Sequence, residues 1–185
     1  RMDAQRCDTL AELCEKSDVI MILAPSDPEK HLAYAEAVLP YGKRTYIDKT
    51  FAPDLATAKQ IFRIAKAHGT PFFSTSALRF ADELERFRGA DDLSVTAGGT
   101  DFEEYLIHPV EMLVKLLADP AERATVEVCG EKRVCRIITQ QGKTAAITFS
   151  PALGYTVSGT DAAGERICAE VTSDYFAHLL TEILR

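Results

Sequence analysis

Two side chains combine a reactive group with a position at the end of a predicted element. Lys49 follows the short strand-like run 44–47, and His108 directly precedes Pro109, a residue that suits the first turn of a helix. In a dry crevice a lysine ammonium can stabilise negative charge on an oxygen, and a histidine can exchange a proton near pH 7. Each also has a simpler interpretation: Lys49 as an exposed residue of a βα loop, and His108 as a helix-start residue.

The cysteines and the other histidines give no comparable signal. The sequence contains neither a CxxC motif nor a Cys/His spacing typical of a metal site. Because the number of cysteines is odd, we interpret them as reduced thiols that mostly fill apolar space, and we predict no metal centre. His68 and His178 fall on predicted helices and are interpreted as structural. The five cysteines are Cys7, Cys14, Cys129, Cys135 and Cys168.

The elements that must position Lys49 alternate between strand and helix patterns. Residues 18–24 form a continuous apolar run, as in a strand buried on both faces of a parallel sheet. A helical stripe over 31–39, the strand 44–47, a helix from the N-cap Asp54 to Gly69, and a strand over 71–75 follow. This order predicts right-handed crossovers and a partial, Rossmann-like parallel sheet over residues 1–78.

After residue 78 the pattern changes to short strands separated by turns. Helices are predicted near 80–87, after His108, and over 175–185. The strand-like runs predict a mostly antiparallel sheet in a second, α+β domain over 79–185. The fold class is therefore α/β followed by α+β. The five runs are Thr125–Cys129, Val134–Thr139, Thr144–Phe149, Leu153–Val157 and Arg166–Val171.

Charge and hydropathy exclude two classes of partner. The net charge is −7 with a pI near 5.1, and no cluster of lysine and arginine stands out, so nucleic acid is not an expected partner. The longest apolar run, 19–25, is too short to span a bilayer, and the N-terminus carries no apolar signal core. These features, with the cysteine usage, predict a cytoplasmic protein without a membrane partner.

Three stretches of the sequence are similar to segments of the Gfo/Idh/MocA family. The run Asp18–Ser26 with His31 resembles the family's buried strand and its "TPN…H" loop, and Asp48-Lys49-Thr50 resembles its Glu-Lys-Pro motif. Arg79-Phe80 matches the family's Arg-Phe, and Tyr105–Leu113 is like its catalytic histidine segment. The similarity extends over nearly the whole chain. The order and spacing of the motifs are more specific than any one of them.

This resemblance implies a site and a cofactor. It implies Lys49 and His108 as catalytic groups, and NAD or NADP as the cofactor, with the preference between them not readable. Glu104 and Tyr105 would bind a hydroxy or carbonyl substrate, although Glu104 could instead orient His108 or be a surface charge. His31 could equally be solvated on its helix. The implied cofactor-binding residues are Ala24, Pro25, Ser26, His31, Asp48, Lys49 and Arg79.

The sequence also departs from the family pattern. It contains no G-x-G-x-x-G loop, whose backbone amides cradle a pyrophosphate, so we expect the chain to be incomplete before Arg1 and truncated after Arg185. Thr50 replaces the motif's proline, which makes a cis bond after Lys49 costly, about 3–4 kcal/mol, and predicts a differently aimed lysine. Glu104 replaces an aspartate.

Two functional hypotheses remain open at this point. The first is an NAD(P)-dependent dehydrogenase or reductase that acts on a sugar, a polyol or a related hydroxy compound. The alternative is a catalytically silent relative, a cofactor-binding regulator or scaffold, which the changes at Thr50 and Glu104 favour. The resemblance also implies a homo-oligomer, a dimer or tetramer formed through the C-terminal sheet.

Overall fold

The computed structural model describes residues 4–24 and 27–185. The chain divides into two compact units. The first runs to Thr75 and includes residues 183–185, and the second comprises Ser76–Glu182.

The first unit contains a three-stranded parallel sheet in the order β1-β2-β3. The pairing of consecutive strands in parallel confirms the Rossmann-like pattern predicted from the sequence. The strands are β1 (Val19–Ile22), β2 (Arg44–Ile47) and β3 (Phe72–Phe73), and the helices are α1 (Leu10–Lys16), α2 (Glu29–Val38) and α3 (Leu55–His68), with a 3-10 turn at Leu39–Tyr41.

Local sequence signals explain where helix α3 begins and ends. The Asp54 carboxylate accepts a hydrogen bond from the Thr57 N–H, which satisfies one of the unpaired donors of the first turn. Gly69 takes the left-handed conformation (φ 64°), which ends the helix at little steric cost. The hydrophobic core of the unit is formed by these buried residues: Cys14, Ile20, Ile22, Ala35, Val38, Leu39, Ile47, Ile61 and Ala65.

The second unit is built on a six-stranded sheet in the order β5-β6-β7-β4-β8-β9. Only the pairing between β4 and β7 is parallel; the others are antiparallel, so the predicted mixed fold class is confirmed. The strands are β4 (Asp91–Ala97), β5 (Ala121–Cys129), β6 (Lys132–Thr139), β7 (Thr144–Phe149), β8 (Thr156–Thr160) and β9 (Arg166–Glu170); the helices are α4 (Phe102–Tyr105), α5 (Ile107–Leu117) and α6 (Tyr175–Leu184).

Several predicted elements of the second unit differ from the structure. The central strand β4 was not predicted, and the strand expected at 153–157 lies at Thr156–Thr160. Residues 80–87 form 3-10 turns instead of an α-helix. Helix α5 begins at Ile107, so Pro109 is its third residue and His108 already lies inside its first turn. A proline is tolerated there because the first-turn N–H groups have no partner within the helix.

One side of α5 packs into the core of the second unit. Met112 and Leu113 are almost fully buried, and they contact the apolar side chains of β4 and β7. Within the described part of the chain, no helix is long and apolar enough to cross a membrane. The principal core residues of this unit are Leu84, Phe87, Leu93, Val95, Met112, Leu113, Ile147 and Val157.

Candidate functional site

Lys49 lies two residues beyond the carboxyl end of β2. The Asp48 N–H donates to the Ile22 carbonyl oxygen at 3.0 Å, which continues the pairing with β1 for one residue beyond the strand. The Lys49 N–H donates to the Asp48 carboxylate at 2.9 Å, and the lysine itself is half-buried. The Lys49–Thr50 peptide bond is cis, so the expectation that Thr50 disfavours this geometry was wrong. Lys49 therefore stands where open parallel sheets bind their ligands.

Asp48 is surrounded by hydroxyl donors from β2 and from the segment after β3. The Tyr46 hydroxyl lies 3.3 Å from Asp48 Oδ1 and 3.0 Å from the Thr75 carbonyl oxygen, so its single proton can be donated to one of them at a time. The Ser74 hydroxyl donates to the Asp48 carbonyl oxygen at 3.4 Å. These contacts fix the backbone that carries Lys49.

His31 is fully buried in the first unit, which corrects the interpretation that it could be solvated on its helix. Its Nδ1 lies 3.0 Å from the Phe51 carbonyl oxygen. Because a carbonyl only accepts, Nδ1 must carry the proton, and Nε2 then presents a lone pair. Nε2 is buried and has no hydrogen-bond partner among the described residues. His31 thus ties α2 to the segment that follows Lys49.

The other residues predicted at this end of the sheet are only partly described. Ala24 is buried, 8% exposed, just beyond the end of β1. Pro25 and Ser26, both predicted to bind the cofactor, lie outside the described residues. Their predicted role and that of Ala24 stay predictions.

His108 is contacted by one nearby side chain, that of Tyr105, and by two side chains that are distant in sequence, those of Ser76 and Tyr155. The Ser76 Oγ lies 2.7 Å from His108 Nδ1, and Ser76 itself is 1% exposed. The rings of Tyr105 and Tyr155 contact the imidazole edge-on, with centroids at 5.7 Å and 5.9 Å. Together these three contacts restrict how the ring can turn. The second unit therefore holds an imidazole whose Nδ1 is in hydrogen-bond contact with a buried serine.

The phenol of Tyr155 is suited to donate a hydrogen bond and not to act as a base. Burial raises its pKa to about 12, and the nearby phenols of Tyr175 and Tyr105 raise it further. Its hydroxyl lies 3.5 Å from the Gly98 carbonyl oxygen. It therefore stays neutral near pH 7.

Two glycines allow the chain to pass close to this cluster. A Cβ on Gly98 would come within 2.0 Å of the Leu153 carbonyl oxygen, and one on Gly99 within 2.4 Å of the Tyr105 ring. Any other residue would push apart the segments that carry Tyr105 and Tyr155.

The remaining predicted residues have partners within the second unit. Arg79 forms an ion pair with Glu111 at 2.8 Å. The Glu104 N–H donates to the N-cap Asp101 at 2.9 Å, and Glu104 and Tyr105 are both half-buried near the start of α5. The cofactor role of Arg79 and the substrate roles of Glu104 and Tyr105 stay predictions.

Sequence reasoning did not single out Ser76 or Tyr155. Ser76 stands 32 residues before His108 and Tyr155 stands 47 residues after it, and no local pattern links either of them to a histidine. The only available signal was that Ser76 precedes the Arg79-Phe80 motif.

The described residues show no candidate metal site and no disulfide. No group of three or more His, Cys, Asp or Glu side chains among them could hold a metal ion. All five cysteines are free thiols, and Cys14 and Cys135 are buried. Burial raises the pKa of both buried thiols, which keeps them protonated.

Comparison with solved structures shows that the chain has the fold of several dehydrogenases, which agrees with the fold expected from the resemblance. Similar structures include UDP-N-acetylglucosamine 3-dehydrogenase GnnA from Acidithiobacillus ferrooxidans, with a TM-score of 0.75 and 14% identity over 97% of this chain and 72% of that one. The dehydrogenase MviM from Clostridium difficile also has a TM-score of 0.75, with 11% identity over 96% of this chain and 73% of that one.

A third structure and a curated sequence show how much of a longer protein the chain matches. GenD2 from gentamicin A biosynthesis, solved with NAD, has a TM-score of 0.70 and 18% identity over 90% of this chain, which spans 59% of GenD2. The uncharacterized oxidoreductase YhhX of Escherichia coli K12 is 35% identical over 66 residues, 34% of this chain and 19% of YhhX. No family model matches the chain.

Proposed function

We propose that the protein is an oxidoreductase that transfers a hydride between NAD(P) and a sugar, a polyol or a related hydroxy compound. The observation that carries this proposal is the position of Lys49, directly beyond β2 in a chain that has the fold of dehydrogenases. GenD2 is solved with NAD, and GnnA is named for a nucleotide sugar, which supports both the cofactor and the substrate class.

The first unit offers groups that fit the nicotinamide end of such a cofactor. His31 Nε2 is a buried acceptor without a described partner, and an amide or hydroxyl donor would match it. Asp48 and Lys49 add a carboxylate and an ammonium at the end of β2. The chain itself contains no G-x-G-x-x-G loop for the diphosphate. When bound, the nicotinamide gives or accepts the hydride.

Two tasks remain besides hydride transfer: Lys49 would stabilise negative charge on the substrate oxygen, and His108 would transfer the hydroxyl proton. Oxidation of an alcohol leaves negative charge on its oxygen, and the Lys49 ammonium would stabilise that charge. His108 would take the hydroxyl proton, or return it when a carbonyl is reduced. Glu104 and Tyr105, beside the start of α5, would contact the substrate's other hydroxyl groups. Arg79, ion-paired with Glu111, would support the cofactor only if that pair opens.

The first experiment separates cofactor binding from turnover. The full-length protein is titrated with NADH and with NADPH by fluorescence, and is then assayed at 340 nm against polyols, free sugars and UDP-N-acetylglucosamine. We expect saturable binding of one cofactor and turnover of at least one hydroxy compound. Absence of binding to either cofactor would overturn the proposal.

The second experiment tests Lys49 directly. Lys49→Ala should lower kcat by about 10²–10³-fold, the cost of removing one group that stabilises an oxyanion. Lys59→Ala removes an exposed lysine of α3 and is the matched control, with kcat expected within a factor of two. Unchanged turnover in Lys49→Ala would remove the lysine from the mechanism.

The silent relative is the second candidate, favoured by the substitutions at Thr50 and Glu104. It predicts saturable binding of NADH or NADPH with no turnover on any compound of the panel. Turnover of a single compound would exclude it.

Homo-oligomerisation through the six-stranded sheet is a further part of the proposal. Core-packing residues such as Val95, Cys135 and Ile147 alternate with Ser94, Arg136 and Ala146, which lie on the opposite face of the sheet. Sedimentation analysis should show a dimer or tetramer that Arg136→Glu weakens. A monomer at micromolar concentration would contradict this part.

A further inference from the structure

We infer that Ser76 is a positioning residue for His108: its hydroxyl accepts a hydrogen bond from Nδ1–H, so that protons are exchanged at Nε2. The inference rests on the proposed function, since it specifies which atom of His108 handles the substrate proton. The sequence pattern gave Ser76 no role beyond its place before the Arg79-Phe80 motif. The evidence is the 2.7 Å separation of Ser76 Oγ and His108 Nδ1.

The local geometry makes Ser76 a fixed partner. Its side chain caps the 3-10 turn Ala77–Phe80, because its Oγ also accepts from the Leu78 N–H at 3.2 Å. That bond and 1% exposure restrict the rotamers available to the serine. A second connection between the same segments, the ion pair of Arg79 with Glu111, holds the 3-10 turn against α5. The hydroxyl is therefore in place before a substrate arrives.

The chemistry of proton exchange decides which way this hydrogen bond runs. A histidine that takes a proton at Nε2 must begin with Nε2 bare and its proton on Nδ1. Nδ1–H can then donate to Ser76 Oγ both before and after Nε2 is protonated, so the hydrogen bond persists throughout the cycle. If the serine instead donated to Nδ1, Nε2 would carry the proton and could not act as a base.

A hydroxyl partner differs from a carboxylate partner in a way that suits reversible chemistry. A carboxylate beside Nδ1 would favour the charged imidazolium through its negative charge. A neutral oxygen orients the ring without favouring the charged form as strongly. The contacts of Tyr105 and Tyr155 with the ring add to this orientation.

The decisive readout is the tautomer of His108, which a purely structural serine would not change. The protein is labelled with ¹⁵N-histidine, the four histidines are assigned with His108→Gln, and the ring nitrogens are observed at a pH where His108 is neutral. We expect Nδ1 of His108 to carry the proton, although histidine in water prefers the Nε2–H form. In Ser76→Ala the signals should move towards Nε2–H, and Ser76→Thr, which keeps the hydroxyl, should restore the original form.

Steady-state kinetics supply the second readout. Ser76→Ala should lower kcat roughly 10- to 100-fold, because a misplaced catalytic group costs about that much, while KM changes little. Ser76→Thr should recover most of this loss. Ser158→Ala removes another half-buried hydroxyl of the same unit and is the control for general loosening, with no expected change in the tautomer or in kcat.

The possible outcomes separate this inference from the proposed function. A wild-type His108 in the Nε2–H form, or signals unchanged in Ser76→Ala, overturns the inference whatever the activity. A changed tautomer with unchanged kcat also overturns it, because orientation would then have no effect on turnover. Wild-type protein without turnover defeats the proposed function and the kinetic half of the inference, whereas the tautomer still reports whether Ser76 sets the ring.

Discussion

The two units hold their candidate reactive groups in different ways. In the first unit, hydrogen bonds to main-chain carbonyls help to fix the segment around Lys49: the Ile22 carbonyl accepts from the Asp48 N–H, and the Phe51 carbonyl accepts from the His31 Nδ1–H. In the second unit His108 is held by the side chains of Ser76, Tyr105 and Tyr155.

This difference has consequences for how each site tolerates change. Main-chain acceptors survive most substitutions, so the Lys49 segment depends on the few side chains that reach the backbone. The His108 cluster depends on several side chains, each from a separate element, and on the close approach of their backbones. We therefore expect the Lys49 segment to be most sensitive to substitution of His31, and the His108 cluster to be sensitive to substitution at several positions.

The largest effect on folding stability is expected at His31, whose side chain ties α2 to the backbone after Lys49. His31→Ala leaves a cavity in a fully buried position and leaves the Phe51 carbonyl without its donor. Together these should lower the free energy of unfolding by about 3 kcal/mol, measured by urea denaturation.

His68→Ala is the matched control for this prediction. His68 is exposed at the end of α3, so its loss should change stability by less than about 0.5 kcal/mol. A loss below about 1 kcal/mol in His31→Ala would mean that His31 does not fasten the segment.

The same difference between the units explains which features the sequence could predict. In the first unit β2, the Asp54 cap and the Gly69 stop depend on neighbours within a few residues, and their positions agree with the structure. The burial of His31 could not be predicted, because the Phe51 carbonyl that receives its proton lies 20 residues away.

In the second unit the decisive interactions are longer in range. The Ser76–His108 contact joins residues 32 apart, and no periodicity reports such a contact. Strand β4 was missed although Leu93, Val95 and Ala97 alternate as in a half-buried strand, since two aspartates open it and Gly98-Gly99 close it. The resemblance to a family drew attention to His108 but not to the residues that hold it.

The second largest effect is expected at Gly98, where the second unit depends on close backbone approach. A Cβ there would meet the Leu153 carbonyl oxygen at 2.0 Å, and a backbone atom cannot move aside as a side chain can. Gly98→Ala should therefore cost about 2 kcal/mol or more of stability and displace Tyr155, whose hydroxyl contacts the Gly98 carbonyl.

Gly154→Ala is the control in the same segment, because a Cβ on Gly154 has no atom within 4 Å. Thermal denaturation of the two variants gives the comparison. Equal melting temperatures for Gly98→Ala and Gly154→Ala would show that the backbones are not held as closely as described.

The smallest effect on stability is expected at Glu83, whose carboxylate binds the main chain of two residues far along the sequence. Its oxygens accept hydrogen bonds from the N–H groups of Thr172 and Ser173 at 2.8 Å and from the Ser173 hydroxyl at 2.7 Å. Burial opposes its ionisation, but these hydrogen bonds outweigh burial and lower the pKa of Glu83 from its ordinary 4.5 to about 2.

Because the pKa of Glu83 is lower in the folded state, the stability that these hydrogen bonds contribute depends on pH. The carboxylate contributes fully above pH 4.5, and its contribution is lost as the pH falls from 4.5 towards 2, because in this range the unfolded chain binds a proton at Glu83 while the folded protein does not. Discounted for solvent screening, the contribution of the carboxylate to the free energy of unfolding is about 1–2 kcal/mol.

Glu83→Gln should lack this contribution at pH 7, so the stability of the variant should fall less steeply than that of the wild type between pH 4.5 and 2. Glu131→Gln, in an exposed turn, is the control and should follow the wild type. If the free energies of unfolding of Glu83→Gln and of the wild type change in parallel through this pH range, the charge of Glu83 does not hold the main chain of Thr172 and Ser173.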